Sequence, residues 1–203
     1  MPSETASGGV HASSGSSTSG SGWVGTGIHL FSGQHTAEQG SALYEQLQAR
    51  LSALPGVQSA SLARRVPLGF GGSSSSKLEV EGYEPTPDER MWTFINEVGP
   101  GYFATMRQPL LAGRELGPQD RRGGPPVVVV SQALAEKYCG GIACVGRRVR
   151  WVGDWRTVVG VVRNIDNRRL GESPAVFAYV PLLQVFRPEV NLRGVNATTH
   201  LVA

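Results

Sequence analysis

Glu79 and Glu81 are two acidic residues whose type and spacing could do acid and base chemistry. They alternate with Leu78 and Val80, a pattern typical of a strand, so both carboxylates are expected on one face. Two carboxyl groups on one face could act as general acid and general base. Such a pair is more often the solvated face of an edge strand, and we favour that interpretation.

Cys139 and Cys144 are the two cysteines of the chain, and four residues separate them. In an oxidising compartment they could close a small disulfide loop; the alternative is two separate thiols packed as small apolar groups. Their spacing lacks the second ligand pair that a zinc site needs, and the histidines do not supply one. We therefore predict no metal site. The four histidines are His11, His29, His35 and His200.

Nucleotide and nucleophile motifs are missing from the sequence. A phosphate loop ends in Gly-Lys-Ser/Thr before a helix, whereas the nearest candidate, Gly69 to Ser76, leads into Lys77 without that order. No part of the chain predicted to be ordered contains the Gly-x-Ser-x-Gly turn of serine hydrolases. We therefore predict no catalytic residues, no cofactor and a protein that is not an enzyme.

The charge of the chain is nearly balanced, with 19 Lys plus Arg against 16 Asp plus Glu and a formal net charge of +3. The arginine clusters are scattered along the sequence and diluted by acidic residues. A nucleic-acid surface would join such clusters on one face and interleave them with aromatic residues. We predict no nucleic-acid partner.

Phe70 is the one aromatic residue in a Gly- and Ser-rich segment, 67–76, that is predicted to be a long surface loop. Little local core is available to such a side chain. It either folds back on its own domain or contacts a partner. Phe70 is therefore the candidate partner-contact residue of the sequence.

The opening elements are predicted as strand, helix and strand. Residues 1–22 are rich in Ser and Gly and are expected to be a disordered linker. A short strand at 28–31 precedes a helix over 36–54, whose leucines recur at helical spacing and define an apolar face. A strand over 57–63 follows at once. This order is typical of α/β and α+β sandwiches.

The second half of the chain is predicted to be rich in strands. Val127 to Val130 are four β-branched residues in a row, which indicates a strand buried on both faces. Ser131 is placed to cap a short helix that ends at Gly140. Gly153 and Asp154 form a hairpin turn between two later strands.

No stretch of the sequence reaches the roughly 20 consecutive apolar residues that cross a bilayer. The first residues also lack the basic start and apolar run of a secretory signal. We expect neither a membrane span nor a signal peptide in this sequence.

Six segments, in this order and with similar gaps, resemble the MacB-like periplasmic core domain of ABC transporter permeases, of the kind duplicated in acidobacterial-type genomes. The resemblance covers roughly residues 28–187. The segments are "LYEQLQARLSALPGVQSASLARRVPL", "VEGYEP", "VGPGYFATMRQPLLAGRELGPQD", "PPVVVVSQALAEKY", "VGRRVR" and "WRTVVGVVRNI".

The resemblance implies an α+β, two-lobed periplasmic core domain, with a porter-like strand-helix-strand lobe and a smaller β-rich lobe. It implies a non-catalytic role at the periplasmic face of the bacterial inner membrane, transmitting conformational change between membrane helices and periplasmic partners or substrate. The implied partners are transmembrane helices of the permease, a cytoplasmic ATPase subunit, a second permease copy and a periplasmic adaptor. The alternative is a stand-alone periplasmic or secreted binding or accessory protein.

The sequence departs from the family pattern in two places. Around Cys139 and Cys144 two family prolines are replaced, so that loop is expected to be looser or joined by the cysteines. After Pro188 the match is poor, which predicts a core domain over 23–187, incomplete at its C-terminal end, followed by a divergent tail over 188–203. On this interpretation the chain is a fragment of a permease.

Overall fold

The computed structural model describes residues 10–13, 23–28, 37–65, 74–165, 175–185 and 195–201. Within these ranges twelve strands join into one curled sheet with four short to medium α-helices. The fold is therefore of the mixed α+β class, as the resemblance implied.

The strands are β1 (Val10–Ser13), β2 (Trp23–Ile28), β3 (Val57–Ala63), β4 (Ser74–Lys77), β5 (Glu79–Val80), β6 (Trp92–Val98), β7 (Leu110–Gly113), β8 (Val127–Ser131), β9 (Arg148–Arg150), β10 (Arg156–Val162), β11 (Phe177–Pro181) and β12 (Val195–Leu201). The α-helices are α1 (Ala37–Ser52), α2 (Tyr102–Thr105), α3 (Gln132–Cys139) and α4 (Leu182–Val185). A single 3₁₀ turn, Gly141–Cys144, follows α3.

The sheet runs in the order β1-β2-β12-β3-β6-β11-β8-β10-β9-β5, with β4 beside β6 and β7 beside β10. Helix α1 packs on β3. We call β1, β2, β12, β3 and α1 the first lobe, and the elements from β4 to α4 the second lobe. The path along the sheet crosses from one lobe to the other between β3 and β6.

Strand β8 lies inside the second lobe and is buried on both faces, as its four consecutive valines predicted. Val128 and Val130 face the cluster that includes α3, whereas Val127 and Val129 face the cluster that includes α2. Neighbouring β11 alternates in the same way, with Phe177 on the α2 side. β-branched side chains fit such a strand because they pack on both surfaces of the pleat.

Both ends of α3 lie where the sequence predicted them. The Ser131 Oγ accepts a hydrogen bond from the backbone N–H of Leu134 at 3.3 Å. Gly140 ends the helix with φ of 76°, the left-handed conformation in which glycine is favoured.

Parts of the predicted linker and of the predicted tail join the sheet. Val10–Ser13 is a strand on β2, and Val195–Leu201 is a strand inserted between β2 and β3, antiparallel to both. The predicted strand-helix-strand unit is therefore β2-α1-β3 with β12 at its centre. Sheet ladders are made by backbone groups, so a sequence with few apolar residues can still join one. For the rest of 1–22 and 188–203, the domain boundaries stay a prediction.

Two further elements differ from expectation. Ser74–Lys77, predicted to end a surface loop, pairs with β6 as β4. The strand before α1 is β2, Trp23–Ile28; of the strand predicted at 28–31, residues 29–31 lie outside the described residues. None of the helices in the described ranges is long and apolar enough to cross a membrane.

The apolar face predicted for α1 is also displaced. Tyr44 is completely buried, whereas Leu43, Leu47 and Leu51 are only partly buried and Leu54, beyond the end of the helix, is 52% exposed. In a helix of 3.6 residues per turn, residues four apart do not lie directly above one another. The leucine stripe, formed by Leu43, Leu47 and Leu51, therefore lies beside the face on which Tyr44 is buried.

Candidate functional site at the junction of the lobes

The sheet is narrowest where β3 of the first lobe meets β6 of the second. These strands share a single aligned pair, Ala63 with Val98. One residue further, the backbone N–H of Arg64 donates to the carbonyl of Glu97 at 2.8 Å, and Arg64 Nη1 donates to Glu97 Oε1 at 2.7 Å. By contrast, β12 and β3 of the first lobe share six aligned pairs, and β8 and β10 of the second lobe share five.

Beyond the point where β3 and β6 separate, the side chain of Asn96 still connects the two lobes. Its Oδ1 accepts a hydrogen bond from the backbone N–H of Arg65 at 3.1 Å, and its Nδ2 donates to the Arg65 carbonyl at 3.0 Å. The buried amide side chain thus takes the place of a neighbouring strand. Burial lowers the pKa of the Arg65 guanidinium from its ordinary value, with a further contribution from Arg64.

Gln48 and Ser61 join the lobes a second time. Gln48 Nε2 donates to the carbonyl of Ala60 at 3.1 Å and to that of Pro100 at 2.8 Å. The buried Ser61 Oγ donates to the same Pro100 carbonyl at 3.0 Å. Gly99 closes the contact, because its backbone N–H donates to the Leu62 carbonyl at 2.7 Å. Helix α1, β3 and the turn after β6 are therefore held together by polar groups of both lobes.

A groove of about 410 Å³ opens beside this second link. One wall belongs to α1 and β3, and the other to the turn after β6, the loop before β8 and α4. Its apolar lining includes the residues Tyr44, Leu62, Pro100, Pro118, Leu182 and Leu183. A neighbouring groove of about 290 Å³ follows α1 toward its N-terminus. Burial, with a smaller effect of Glu97, raises the pKa of Tyr44 to about 12, so its phenol stays neutral at physiological pH.

Glu45 and Arg121 lie where the two grooves meet, and both residues line both grooves. Arg121 Nη2 donates to Glu45 Oε1 at 3.4 Å, and Arg121 Nε donates to the Pro118 carbonyl at 2.8 Å. The Arg121 side chain is 56% exposed, and the Glu45 side chain is 47% exposed. An ion pair this long and this exposed stabilises the fold little.

The loop that carries Arg121 is held by Arg114 and Asp120. Arg114 donates two hydrogen bonds to the Asp120 carboxylate, at 2.7 and 2.8 Å, and the backbone N–H of Gly117 donates a third at 2.9 Å. Burial alone would raise the pKa of Asp120, but these bonds outweigh it and the pKa lies below its usual value. Asp120 is thus an ionised structural anchor.

Glu79 and Glu81 lie far along the sheet, at its β5 edge, and not at the junction. Arg150 opposes Glu79 and bonds it at 2.5 Å, while Arg148 donates from Nε and Nη2 to Glu81. The hydrogen bonds from Arg148 lower the pKa of Glu81. A carboxylate held ionised in this way is a poor general acid, so the pair behaves as the solvated face of an edge strand.

Cys139 and Cys144 are both buried, and the structure joins them with their Cα atoms 4.9 Å apart. They connect the end of α3 to the 3₁₀ turn behind it. Phe70 lies outside the described residues, so its contact role stays a prediction. Among the described residues no group of His, Cys, Asp or Glu side chains is placed to hold a metal ion.

Sequence reasoning missed Gln48, Ser61, Asn96 and Arg121. Their partners are distant in sequence: Gln48 and Pro100 are 52 residues apart, and Asn96 and Arg65 are 31 apart. No local spacing marks such residues. A buried strand that carries an Asn is the one available signal, because a buried amide needs a partner.

The fold and the junction define a two-lobed α+β domain whose lobes meet at a narrow seam. The family model of the MacB-like periplasmic core domain matches residues 5–201, and the chain belongs to that family. It is thus a periplasmic domain of the ABC transporter permease family. Transporters of this type work with an ATPase and with membrane segments.

Two solved structures share the fold. The periplasmic region of MacB from Actinobacillus actinomycetemcomitans is 19% identical over 86% of this chain and 74% of that one, with a TM-score of 0.55. The extracellular domain of the noncanonic ABC-type transporter YknZ from Gram-positive bacteria is 20% identical over 87% and 84%, with a TM-score of 0.51. No curated protein matches the chain significantly.

Proposed function

We propose that this domain transmits conformational change between the membrane helices of an ABC permease and periplasmic partners or substrate, without catalysing a reaction. The observation that carries the proposal is the seam between β3 and β6. Within the sheet, a single aligned pair, Ala63 with Val98, joins the two lobes, whereas β12 with β3 and β8 with β10 form ladders of six and five pairs. Outside the ladder, the lobes are held by the polar links described above and by α2, which packs on β3. Motion concentrates where the fewest interactions resist it, so the lobes rotate about this seam as rigid bodies.

Asn96 and Gln48 set how freely the lobes rotate. Asn96 holds the seam through two hydrogen bonds to Arg65, and Gln48 ties α1 to Pro100 on the far side. Hydrogen bonds of this kind are worth about 1 kcal/mol each, enough to favour one lobe angle while leaving another within reach. A force applied to one lobe then shifts the angle of the other.

The proposed partners are the membrane helices of the permease, a cytoplasmic ATPase subunit, a second permease copy and a periplasmic adaptor. ATP hydrolysis occurs on the ATPase subunit in this proposal. Phe70 is the proposed contact residue for one of the periplasmic partners. The ionised, arginine-bound state of Glu81 supports a domain without acid and base catalysis.

The seam is tested by measuring the distance between spin labels at Arg50→Cys on α1 and Val152→Cys in the turn between β9 and β10, both exposed. We expect Asn96→Ala to widen the distance distribution, because it removes both bonds to Arg65. Gln132→Ala is the control, since it removes an exposed hydrogen bond to Glu136 within α3. Equal distributions in both variants would contradict the role of Asn96 in restraining the seam.

Transmission itself is tested in the permease that carries this domain, reconstituted with its ATPase subunit. We expect Asn96→Ala and Gln48→Ala to lower transport per ATP hydrolysed, whereas Gln132→Ala leaves this ratio unchanged. Thermal unfolding confirms that the variants are folded at the assay temperature. Full coupling in both folded seam variants would refute the proposed role.

A further inference from the structure

The paired grooves along α1 have the size and lining of a ligand site. Their volumes of about 410 and 290 Å³ lie in or near the range for small-molecule sites, roughly 300 to 1,000 Å³. Both lobes contribute walls, and sites of this kind are common between domains. The larger groove is lined mainly by apolar side chains, so it suits a hydrocarbon group.

Arg121 supplies the polar end of this site. Its guanidinium carries five N–H donors in a fixed plane. Nε donates to the Pro118 carbonyl, which orients the plane, and Nη2 makes a long bond to Glu45. The Arg121 side chain makes no other hydrogen bond among the described residues. A carboxylate or phosphate that approaches with two oxygens makes shorter, stronger bonds than Glu45 does.

The two charges of the pair are not equivalent as anchors. Arg121 is held in place through Pro118, whereas Arg122 and Glu38, which also line the smaller groove, carry opposite charges that offset each other. The Glu45 carboxylate accepts no hydrogen bond other than the long one from Arg121 among the described residues. The guanidinium of Arg121 is also less strongly hydrated than a lysine ammonium would be, so it loses its bound water to a ligand at lower cost. An anionic group is therefore favoured at the meeting point of the grooves.

We propose that the grooves bind a single-chain anionic amphiphile. Its hydrocarbon chain lies in the larger groove against the accessible apolar residues Ala49, Pro100 and Pro118, and its headgroup accepts hydrogen bonds from Arg121 in place of Glu45. The chemistry is shared by a free fatty acid and by a lysolipid with an anionic headgroup. This inference goes beyond transmission between the lobes and does not depend on it.

The probes are decanoate and lysophosphatidylglycerol, each titrated into the 203-residue protein by calorimetry below its micelle concentration. Saturable binding of one probe or both is expected, and the tighter one identifies the source of the ligand. Arg121→Gln should weaken binding by about tenfold or more, as for the loss of a charged hydrogen-bond partner. Arg50→Gln is the matched control, because Arg50 is an exposed arginine of α1 that does not line either groove.

Ala49→Leu tests the hydrocarbon part of the site, since Ala49 lines the larger groove. We expect this variant to lose binding while its thermal unfolding midpoint stays near that of the wild type. The proposal is overturned if neither probe binds saturably, if Arg121→Gln binds as well as Arg50→Gln, or if decanol or decyltrimethylammonium binds as tightly as decanoate. These measurements need no permease, so their failure leaves the seam experiments unaffected.

Discussion

Gly113 and Gly160 face each other in the ladder between β7 and β10, and neither position has room for a side chain. A Cβ atom on Gly113 would lie 2.1 Å from the Val159 carbonyl oxygen, and one on Gly160 would lie 2.3 Å from that of Arg114. Backbone surrounds both sites, so the clash cannot be relieved by a rotamer change. This close approach fixes where the loop that carries Arg114 and Asp120 leaves the sheet.

Gly113→Ala is therefore expected to destabilise the domain severely. Gly113 has φ of 75°, and the left-handed conformation alone costs a residue with a Cβ about 1–2 kcal/mol. The clash adds to this, so we expect a total loss of more than about 3 kcal/mol in the free energy of unfolding, measured with urea.

Gly123→Ala separates the two effects. Gly123 has a similar φ of 85°, but a Cβ atom there would meet nothing within 4 Å. We expect it to cost only the conformational part, about 1–2 kcal/mol. If both variants lost the same stability, the close approach of β7 and β10 would have no energetic role.

The sequence predicted those parts of the fold that depend on local pattern. Val127 to Val130 predicted a strand buried on both faces, and Ser131 and Gly140 marked the ends of α3, because branched side chains, caps and left-handed glycines act within a few residues. The seam was not predicted, since Asn96 and Arg65 meet only after 31 residues of intervening chain have folded. β12 was missed because its partners, β2 and β3, lie far away in the sequence, so that the β-branched residues of this short segment do not show which strands it joins.

Asp120→Asn is expected to destabilise the domain at neutral pH by about 1–3 kcal/mol, the cost of weakening bonds to a buried group. Asp120 is only 5% exposed, but Arg114 is 44% exposed, and solvent reduces the value of the pair. Because the pKa of Asp120 is lowered on folding, its contribution is fully present above the unfolded value near 4 and is lost as the pH falls through the folded pKa.

The measurement is the free energy of unfolding of both proteins between pH 7 and pH 3. The difference between wild type and Asp120→Asn should shrink toward the acid end. Asp88→Asn, which removes an exposed carboxylate, should change stability by no more than about 0.5 kcal/mol. A difference that stays constant with pH would mean that the ionised form of Asp120 is not what holds the loop.

Cys139 and Cys144 are expected to form a disulfide in protein prepared from an oxidising compartment. Closing so short a loop restricts the unfolded chain and adds about 2 kcal/mol of stability. The intact mass should show the loss of two hydrogens, and Cys139→Ala with Cys144→Ala should lower the unfolding free energy by about that amount. Reductant should destabilise the wild type but not the double variant. Equal stability of the wild type with and without reductant would favour two separate thiols.

Tyr44, and not the leucine stripe, is expected to carry most of the packing energy of α1. Tyr44 is 0% exposed and packs between α1 and the sheet, so Tyr44→Ala should cost about 3–5 kcal/mol, as for a buried aromatic side chain. Leu47 is only partly buried, and Leu47→Ala should cost clearly less, about 1–2 kcal/mol, because less apolar area returns to water. Leu54→Ala, at a half-exposed site, should lie within about 0.5 kcal/mol of the wild type. Urea midpoints of the three variants give this ranking directly. A larger loss for Leu47→Ala than for Tyr44→Ala would show that the helix packs on its leucine face.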